Sequence, residues 1–153
     1  MIHRVYCHVV WTTRNRAPII DSGLARFLSG FLRAVARQER ARILEIGLVA
    51  THIHLLLRVH PTTNLSRLLQ RLKGGSAAIA GKERHSSAGN TLRWAKGYSI
   101  HSVSARALAT VREYLRAQPL HHPNDVIADW KGDEPEYEAV GQDEWRSELR
   151  RRV

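Results

Sequence analysis

Cysteine is nearly missing from this sequence: Cys7 stands alone, so no disulfide can form within the chain and a C-x-x-C metal or redox motif is excluded. Acidic side chains are scarce as well. The 153 residues carry 14 Asp and Glu against 24 Lys and Arg, a formal net charge of +10, which makes a polyanion the first partner to consider. The shortage is uneven, because residues 1 to 123 hold 19 basic and 5 acidic side chains, a net of +14, while residues 124 to 153 hold 5 basic and 9 acidic, a net of −4. A basic body, residues 1–123, is therefore expected to form one domain, followed by an acidic C-terminal extension, residues 124–153. Long apolar runs are absent too, including at the start, Met1-Ile2-His3-Arg4-Val5-Tyr6. Neither a signal peptide nor a membrane span is expected, and the cytoplasm is the expected location. No repeat or low-complexity stretch interrupts the chain. What is present, 43% hydrophobic and 25% charged residues, suits a folded chain rather than a disordered one.

Hydrophobic spacing supplies the elements. From Arg4 to Thr12, β-branched and aromatic residues cluster without a helical stripe and read as a strand, broken at Arg14-Asn15-Arg16-Ala17-Pro18. Asp21 or Ser22 can cap a helix whose apolar residues Leu24, Phe27, Leu28, Phe31, Leu32 and Val35 follow i, i+3, i+4, i+7 spacing. Ile43 to Val49 and Ile53 to Val59 read as strands joined by the short connection Ala50-Thr51. Asn64 can cap a helix through Leu65, Leu68, Leu69 and Leu72 as far as Ile79, interrupted at Gly74-Gly75, with a loose polar stretch from Gly81 to Asn90. A strand within Trp94 to Val103 follows, and Ser104 can cap a helix running through Leu108, Val111 and Leu115 until Pro119. The order β-α-β-β-α-β with an added helix predicts an α+β fold of ferredoxin-like type, an antiparallel sheet with helices on one face and the other face left for a ligand. The extension, with Trp130, Tyr137 and Trp145, is expected to lie on this domain.

One segment is richest in chemistry, His52-Ile53-His54-Leu55-Leu56-Leu57-Arg58-Val59. Alternation along a strand sends Ile53, Leu55, Leu57 and Val59 toward the helices and projects His52 and His54 together from the open face. Imidazoles two residues apart can reach one divalent ion, although His-x-His alone is equally the pattern of merely hydrogen-bonded histidines. On the last helix Tyr114 and Gln118, spaced i, i+4, share a face. If that helix crosses the open sheet face, two imidazoles, an amide oxygen and a phenol converge. Taken singly, Tyr114 reads as an amphipathic packing residue and Gln118 as a plain helix former.

Taken in order, these residues resemble the single-tyrosine transposases of the His-hydrophobic-His (HUH) endonuclease superfamily, the IS200-like kind that mobilises small bacterial insertion sequences. His8-Val9-Val10-Trp11-Thr12-Thr13-Arg14-Asn15-Arg16-Ala17-Pro18 is similar to the family's opening strand and basic turn, and Thr51-His52-Ile53-His54-Leu55-Leu56-Leu57 to its metal-binding strand. Leu65 to Gly74 resembles the helix that follows. Trp94-Ala95-Lys96-Gly97-Tyr98-Ser99-Ile100 resembles the late strand, and Tyr114-Leu115-Arg116-Ala117-Gln118 with His121-His122 resembles the nucleophile helix and its exit. The resemblance spans residues 3 to 123. Ahead of the first histidine, where the family often has Pro followed by Asn or Asp, this chain has Ala50-Thr51.

The resemblance implies that residues 1–123 are a transposase catalytic domain in which His52, His54 and Gln118 hold a divalent metal ion, Mg²⁺ or Mn²⁺, and Tyr114 is the nucleophile. It further implies cleavage and rejoining of single-stranded DNA through a 5′-phosphotyrosine, hairpin-bearing element ends as substrate, and a homodimer in which one subunit's tyrosine helix can serve the other's histidines. For DNA contact the sequence offers Arg14, Arg16, Arg67, Arg71, Lys73, Arg93 and Lys96 for the backbone, and Trp11, Trp94 or Tyr98 for stacking on unpaired bases. His121 and His122 are candidates for a base or a phosphate contact, but read more simply as surface residues. A non-catalytic single-stranded DNA- or RNA-binding module is the main alternative, since a basic ferredoxin-like sheet describes that class too; it leaves Tyr114 with Gln118 unexplained. A zinc hydrolase or deaminase ranks last, because H-x-E and C-x-x-C are both absent.

Overall fold

Alternation decides the sheet. In the computed structural model, which describes residues 2–132, β1 (Val5–Thr12) buries Cys7, Val9 and Trp11 and leaves Tyr6, His8, Val10 and Thr12 partly accessible on the other side. It lies between β3 (His52–Val59) and β4 (Ser99–Val103), and β2 (Ala41–Val49) forms the other edge beyond β3, giving the order β2-β3-β1-β4 with every neighbour antiparallel. That is the split β-α-β arrangement expected from the element order.

One sheet face is dry. Asp21 accepts a bond from Leu24 N at 3.0 Å and starts α1 (Ser22–Gln38), and Asn64 does the same for Arg67 N at the start of α2 (Leu65–Glu83). Leu24, Leu28 and Leu32 of α1 join Leu68, Leu69 and Leu72 of α2 and Ile53, Leu55 and Leu57 of β3 in one core with Trp11. Each of these large side chains contributes roughly 1.5–3 kcal/mol by leaving water. The expected interruption at Gly74-Gly75 does not occur, and α2 continues to Glu83, shortening the loose stretch. Each glycine costs a helix about 1 kcal/mol, but a Cβ at Gly75 would come within 3.1 Å of Phe31 Cζ. The small residue lets the two helices approach, and their packing outweighs the propensity.

The second face is covered by the C-terminal part of the chain. Ser104 does not cap a long helix; it precedes a single turn at Ala105–Ala107, and α3 (Leu108–Arg116) begins without a side-chain cap. Pro119, which lacks an N–H, stops the helix sooner than expected. The chain turns at Ala117 and resumes as the short α4 (Gln118–His121). Beyond Pro123 the chain still packs on the body: Ala50 N donates to Asp125 O at 2.7 Å, Ile127 is buried and Trp130 lies against the core. Tyr137 and Trp145 lie outside the described residues. No helix among the described residues is long and apolar enough to cross a membrane.

Candidate active site

Because directly paired residues of antiparallel strands share a face, the register puts His52 and His54 of β3 on the same side as Thr12, Val10 and His8 of β1 and His101 of β4. On β2 a bulge between Ile43 and Glu45 resets the alternation. Ile43 faces the dry core, yet after the extra residue Ile46 and Leu48 do so instead, which turns Glu45, Gly47 and Val49 toward the histidines. Arg33 Nη1 takes the Ile43 carbonyl at 3.0 Å and Arg112 Nη2 takes that of Leu44 at 3.1 Å, so the bulge's backbone acceptors are satisfied from opposite layers.

The covering helices are held at two points. Buried Glu45 meets Arg116 Nε at 3.2 Å and Arg112 Nε at 3.6 Å, tying both ends of one helical turn of α3 to β2. At Gly47 a Cβ would stand 2.5 Å from Leu115 O and 3.0 Å from Gln118 Cγ. Only a missing side chain lets the turn between α3 and α4 sit directly on the strand. That turn carries Gln118, which is fully buried.

The resulting cluster is compact. Gln118 Nε2 donates to Tyr114 O at 3.3 Å, leaving its Oε1 facing His52 Nε2 at 3.4 Å. The i, i+4 relation between Tyr114 and Gln118 thus survives the helix break through this backbone bond. The His52 and His54 rings are 5.2 Å apart, and the Tyr114 ring lies 5.8 Å from His54 and 6.3 Å from His8, all within the same chain. Tyr114 is 43% exposed, which leaves its face open to a large substrate, whereas both His52 and His54 are buried beneath it.

Each imidazole has a fixed second partner. His54 Nδ1 lies 2.8 Å from His8 Nε2, and His52 Nδ1 lies 2.9 Å from Thr51 Oγ1. Burial lowers the pKa of His54 to about 3, helped by repulsion from His8, His52 and His122. Burial also lowers His52, opposed by the Gln118 amide oxygen, which as an acceptor beside Nε2 favours a proton there, and lowers His8, with His101 adding to the effect. All three rings are therefore neutral near pH 7, with lone pairs available, as metal ligation requires. No group of three His, Cys, Asp or Glu side chains among the described residues is arranged to hold a metal. The Gln118 amide oxygen is an oxygen donor that already faces the imidazole pair, so a set of two neutral nitrogens and one oxygen fits. Such a set suits an ion that also takes water and phosphate oxygens.

The two histidines after Gln118 belong to this cluster as well. His121 is exposed but tilted against Tyr114 at 5.2 Å, and half-buried His122 stands edge-on to His52 at 4.6 Å; the surface reading covers only part of their setting. Glu45 and Gly47 carry no motif, and His8 and Thr51, although they open two of the segments that resemble the family, take no role in the site from the sequence alone. For His8 the parity of β1 is the sequence signal that points into the site, since it shares a face with Val10 and Thr12.

The basic candidates separate into two groups. Arg14, Arg16, Arg93 and Lys96 are exposed near the end of β1 that pairs with His52: Arg14 N bonds Arg93 O at 2.9 Å, Ala95 N bonds Thr12 O at 2.9 Å, and Arg16 is close enough to weaken protonation of His52. Arg67 and Arg71 instead bind Glu39 at 3.0 and 2.9 Å, near His60 at the other end of β3, roughly 26 Å of strand away. Lys73 donates to the Ala95 carbonyl at 2.9 Å and to that of Gly97. Among the aromatics, Trp11 is core, Trp94 packs on it and donates Nε1 to Ser76 Oγ, and Tyr98 is 44% exposed. Only Tyr98 of the three is free to stack on a base.

A family model described as "Transposase IS200 like" matches residues 1–118. Relatives include the ISDra2 transposase TnpA of Deinococcus radiodurans, 24% identical over 120 residues that cover 76% of this chain and 86% of that protein. The transposase for insertion sequence element IS200 of Salmonella typhimurium is 26% identical over 114 residues, 72% of this chain and 74% of that one. Among solved structures, a Deinococcus radiodurans chain classed as a transposase superposes with a TM-score of 0.59 at 23% identity, covering 77% of this chain and 93% of its own. A REP-associated tyrosine transposase bound to a REP hairpin superposes with a TM-score of 0.61 at 13% identity, covering 80% and 70%. At such identities the two structures speak for the fold.

Proposed function

The chain belongs to the IS200-like transposase family, and from that premise we propose that it cuts and rejoins single-stranded DNA at Tyr114, with His52, His54 and Gln118 holding Mg²⁺ or Mn²⁺. The observation that carries this reading is the Tyr114 ring 5.8 Å from His54, over a site where Gln118 Oε1 faces His52 Nε2 at 3.4 Å. Two lone pairs that face each other repel unless a proton or a cation lies between them, and a neutral imidazole beside an amide oxygen is a natural cation site.

The chain's own groups then divide the work. Tyr114 Oη attacks the phosphorus, the bond to the 3′ oxygen breaks, and a 5′-phosphotyrosine and a free 3′-hydroxyl result. A bound divalent ion would neutralise the non-bridging oxygens of the scissile phosphate and hold it in line. A phenol needs an acceptor for its proton when it attacks, and His121, whose ring centroid lies 5.2 Å from that of Tyr114, is the proposed one. Because the new ester keeps the energy of the old bond, attack by another strand's 3′-hydroxyl reverses the step and seals DNA without a nucleotide cofactor. The exposed group Arg14, Arg16, Arg93 and Lys96 tracks the backbone, with Lys73 beside Lys96 on the Ala95 and Gly97 carbonyls, and Arg67 and Arg71 contribute at the periphery. A hairpin-bearing strand is the proposed substrate, supported by the hairpin on one structural neighbour. The proposed working unit is a homodimer, with Tyr114 set beside the histidines of its own chain.

Labelled single-stranded DNA of varied sequence, incubated with protein and Mg²⁺ or Mn²⁺, should yield a covalent protein–DNA adduct. Tyr114→Phe should bind DNA without attaching to it, and His52→Ala should lose the metal-dependent cleavage. DNA binding with no adduct from the unsubstituted protein under any metal condition would sink the proposal and return the non-catalytic binding module.

A further inference from the structure

The chain past α4 reaches back to the histidine strand. His122 N donates to Gln118 O at 2.9 Å, Asp125 N donates to His122 O at 3.0 Å, and Ala50 N donates to Asp125 O at 2.7 Å, so the exit segment is clipped to the turn between β2 and β3. There the Asp125 carboxylate accepts the Thr51 hydroxyl at 3.3 Å, and Thr51 Oγ1 in turn lies 2.9 Å from His52 Nδ1. Asp125 itself falls after residue 118, where the family match ends, while the Thr51 and Ala50 it meets lie within the match.

Two proton arrangements are open to this chain of groups, and the second leaves the Asp125 carboxylate without the Thr51 proton. In one, Thr51 gives its proton to Asp125 and must then accept from His52 Nδ1–H, so His52 Nε2 presents a lone pair beside Gln118 Oε1. In the other, Thr51 gives its proton to His52 Nδ1, and His52 Nε2–H points at Gln118 Oε1, blocking the nitrogen that an ion needs. A carboxylate accepts a hydroxyl proton better than a neutral imidazole does, and its negative charge also favours the nearby N–H dipole; together these outweigh the long, 3.4 Å bond that Nε2–H makes to Gln118 Oε1 in the second arrangement. We propose that Asp125, acting through Thr51, is a positioning residue that holds His52 in its Nδ1–H tautomer and keeps Nε2 open for the metal. The backbone bond at 2.7 Å anchors the segment, and the longer 3.3 Å contact directs a proton. Orientation of a ligating histidine through its second nitrogen is a general requirement of metal sites, and here a segment beyond the nucleophile supplies it. The inference rests on the metal site proposed above.

Metal-free protein tests it, by side-chain ¹⁵N shifts of the histidines in the unsubstituted chain, Asp125→Ala and Asp125→Asn. Asp125→Ala keeps the backbone anchor and the buried Ile127 but removes the acceptor, and should move His52 toward the Nε2–H tautomer. Asp125→Asn retains an acceptor oxygen and should restore the Nδ1–H form. Because apparent affinity falls with the competent fraction, Mn²⁺ binding by Asp125→Ala should weaken roughly 10-fold. Equal tautomer populations in all three proteins would overturn the relay. A tautomer shift accompanied by wild-type His52 and His54 resonances that ignore Mn²⁺ would uphold the relay and overturn the metal site itself.

Discussion

The two faces of this sheet are built on opposite principles. On one, Ile53, Leu55 and Leu57 join the leucines of α1 and α2 in one apolar core. On the other, the alternate residues His52 and His54 are almost as deeply buried, beneath α3 and α4, among imidazoles, an amide and the Glu45 ion pairs. The same strand serves both, so burial alone does not separate core from site. Their difference lies in the cost of burial. Apolar side chains gain by leaving water, while neutralised imidazoles sit at low dielectric with depressed basicity. Stability should therefore reside on the first face and activity on the second.

The sharpest break of that comparison is Tyr114→Phe. Removing one oxygen from a residue that is 43% exposed should shift stability by no more than about 0.5 kcal/mol, yet abolish adduct formation and cut strand cleavage by at least about 1,000-fold. Cleavage that survives in Tyr114→Phe would dissociate the histidine face from the chemistry. Next in size is Leu55→Ala, on the same strand but facing the other way. It should cost about 2–5 kcal/mol in urea unfolding and leave Mn²⁺ affinity of the folded protein unchanged within about 2-fold. A large loss of metal affinity in Leu55→Ala would show that the faces are not independent.

How far this arrangement is readable in the sequence differs between the faces as well. The dry face is legible, because i, i+3, i+4 spacing in α1 and strict alternation in β3 fix what each residue meets. The pairing of His52 with His54, and of Tyr114 with Gln118, is legible from spacing for the same reason. What holds the two pairs together is not. The bulge at Leu44 has no turn residue to mark it, and Ile43-Leu44-Glu45-Ile46 does not say which apolar residue is the extra one, so the facing of Glu45 and Gly47 is hidden. The close approach at Gly47 depends on a contact with Leu115 some seventy positions later, and glycine at that point reads only as a weak strand residue. Likewise the helix through Gly74-Gly75 is decided by Phe31, on another element. Local preference is visible in a sequence, and tertiary contact that overrides it is not.

Gly47 gives the intermediate test. In Gly47→Ala the added methyl meets Leu115 O at 2.5 Å, a backbone atom that cannot swing away. The turn must lift, carrying Gln118 from His52. A loss of about 1–3 kcal/mol is expected from overpacking, with Mn²⁺ affinity down by about 10-fold or more. Unchanged metal affinity would mean that Gln118 is not set by this contact.

Acid should produce the smallest and most graded effect, and it acts on the histidine face. Burial holds His54 at about 3, and His52 and His8 are lowered in the same direction, whereas the unfolded chain's imidazoles titrate near about 6.5. Between those values the unfolded state binds protons that the folded state refuses. Stability is therefore fully present above about pH 6.5 and declines as the pH falls below it, at up to about 1.4 kcal/mol per pH unit for each such histidine. Carboxylates with ordinary pKa values are ionised in both states between pH 5.5 and 7.5, so a drop in the urea midpoint across that window reports the imidazoles. His54→Gln should flatten the dependence, while Leu55→Ala should lower the midpoint equally at both pH values. A midpoint in the unsubstituted protein that ignores pH across this range would mean that the histidines accept protons in place, and that the second face is wetter than its burial implies.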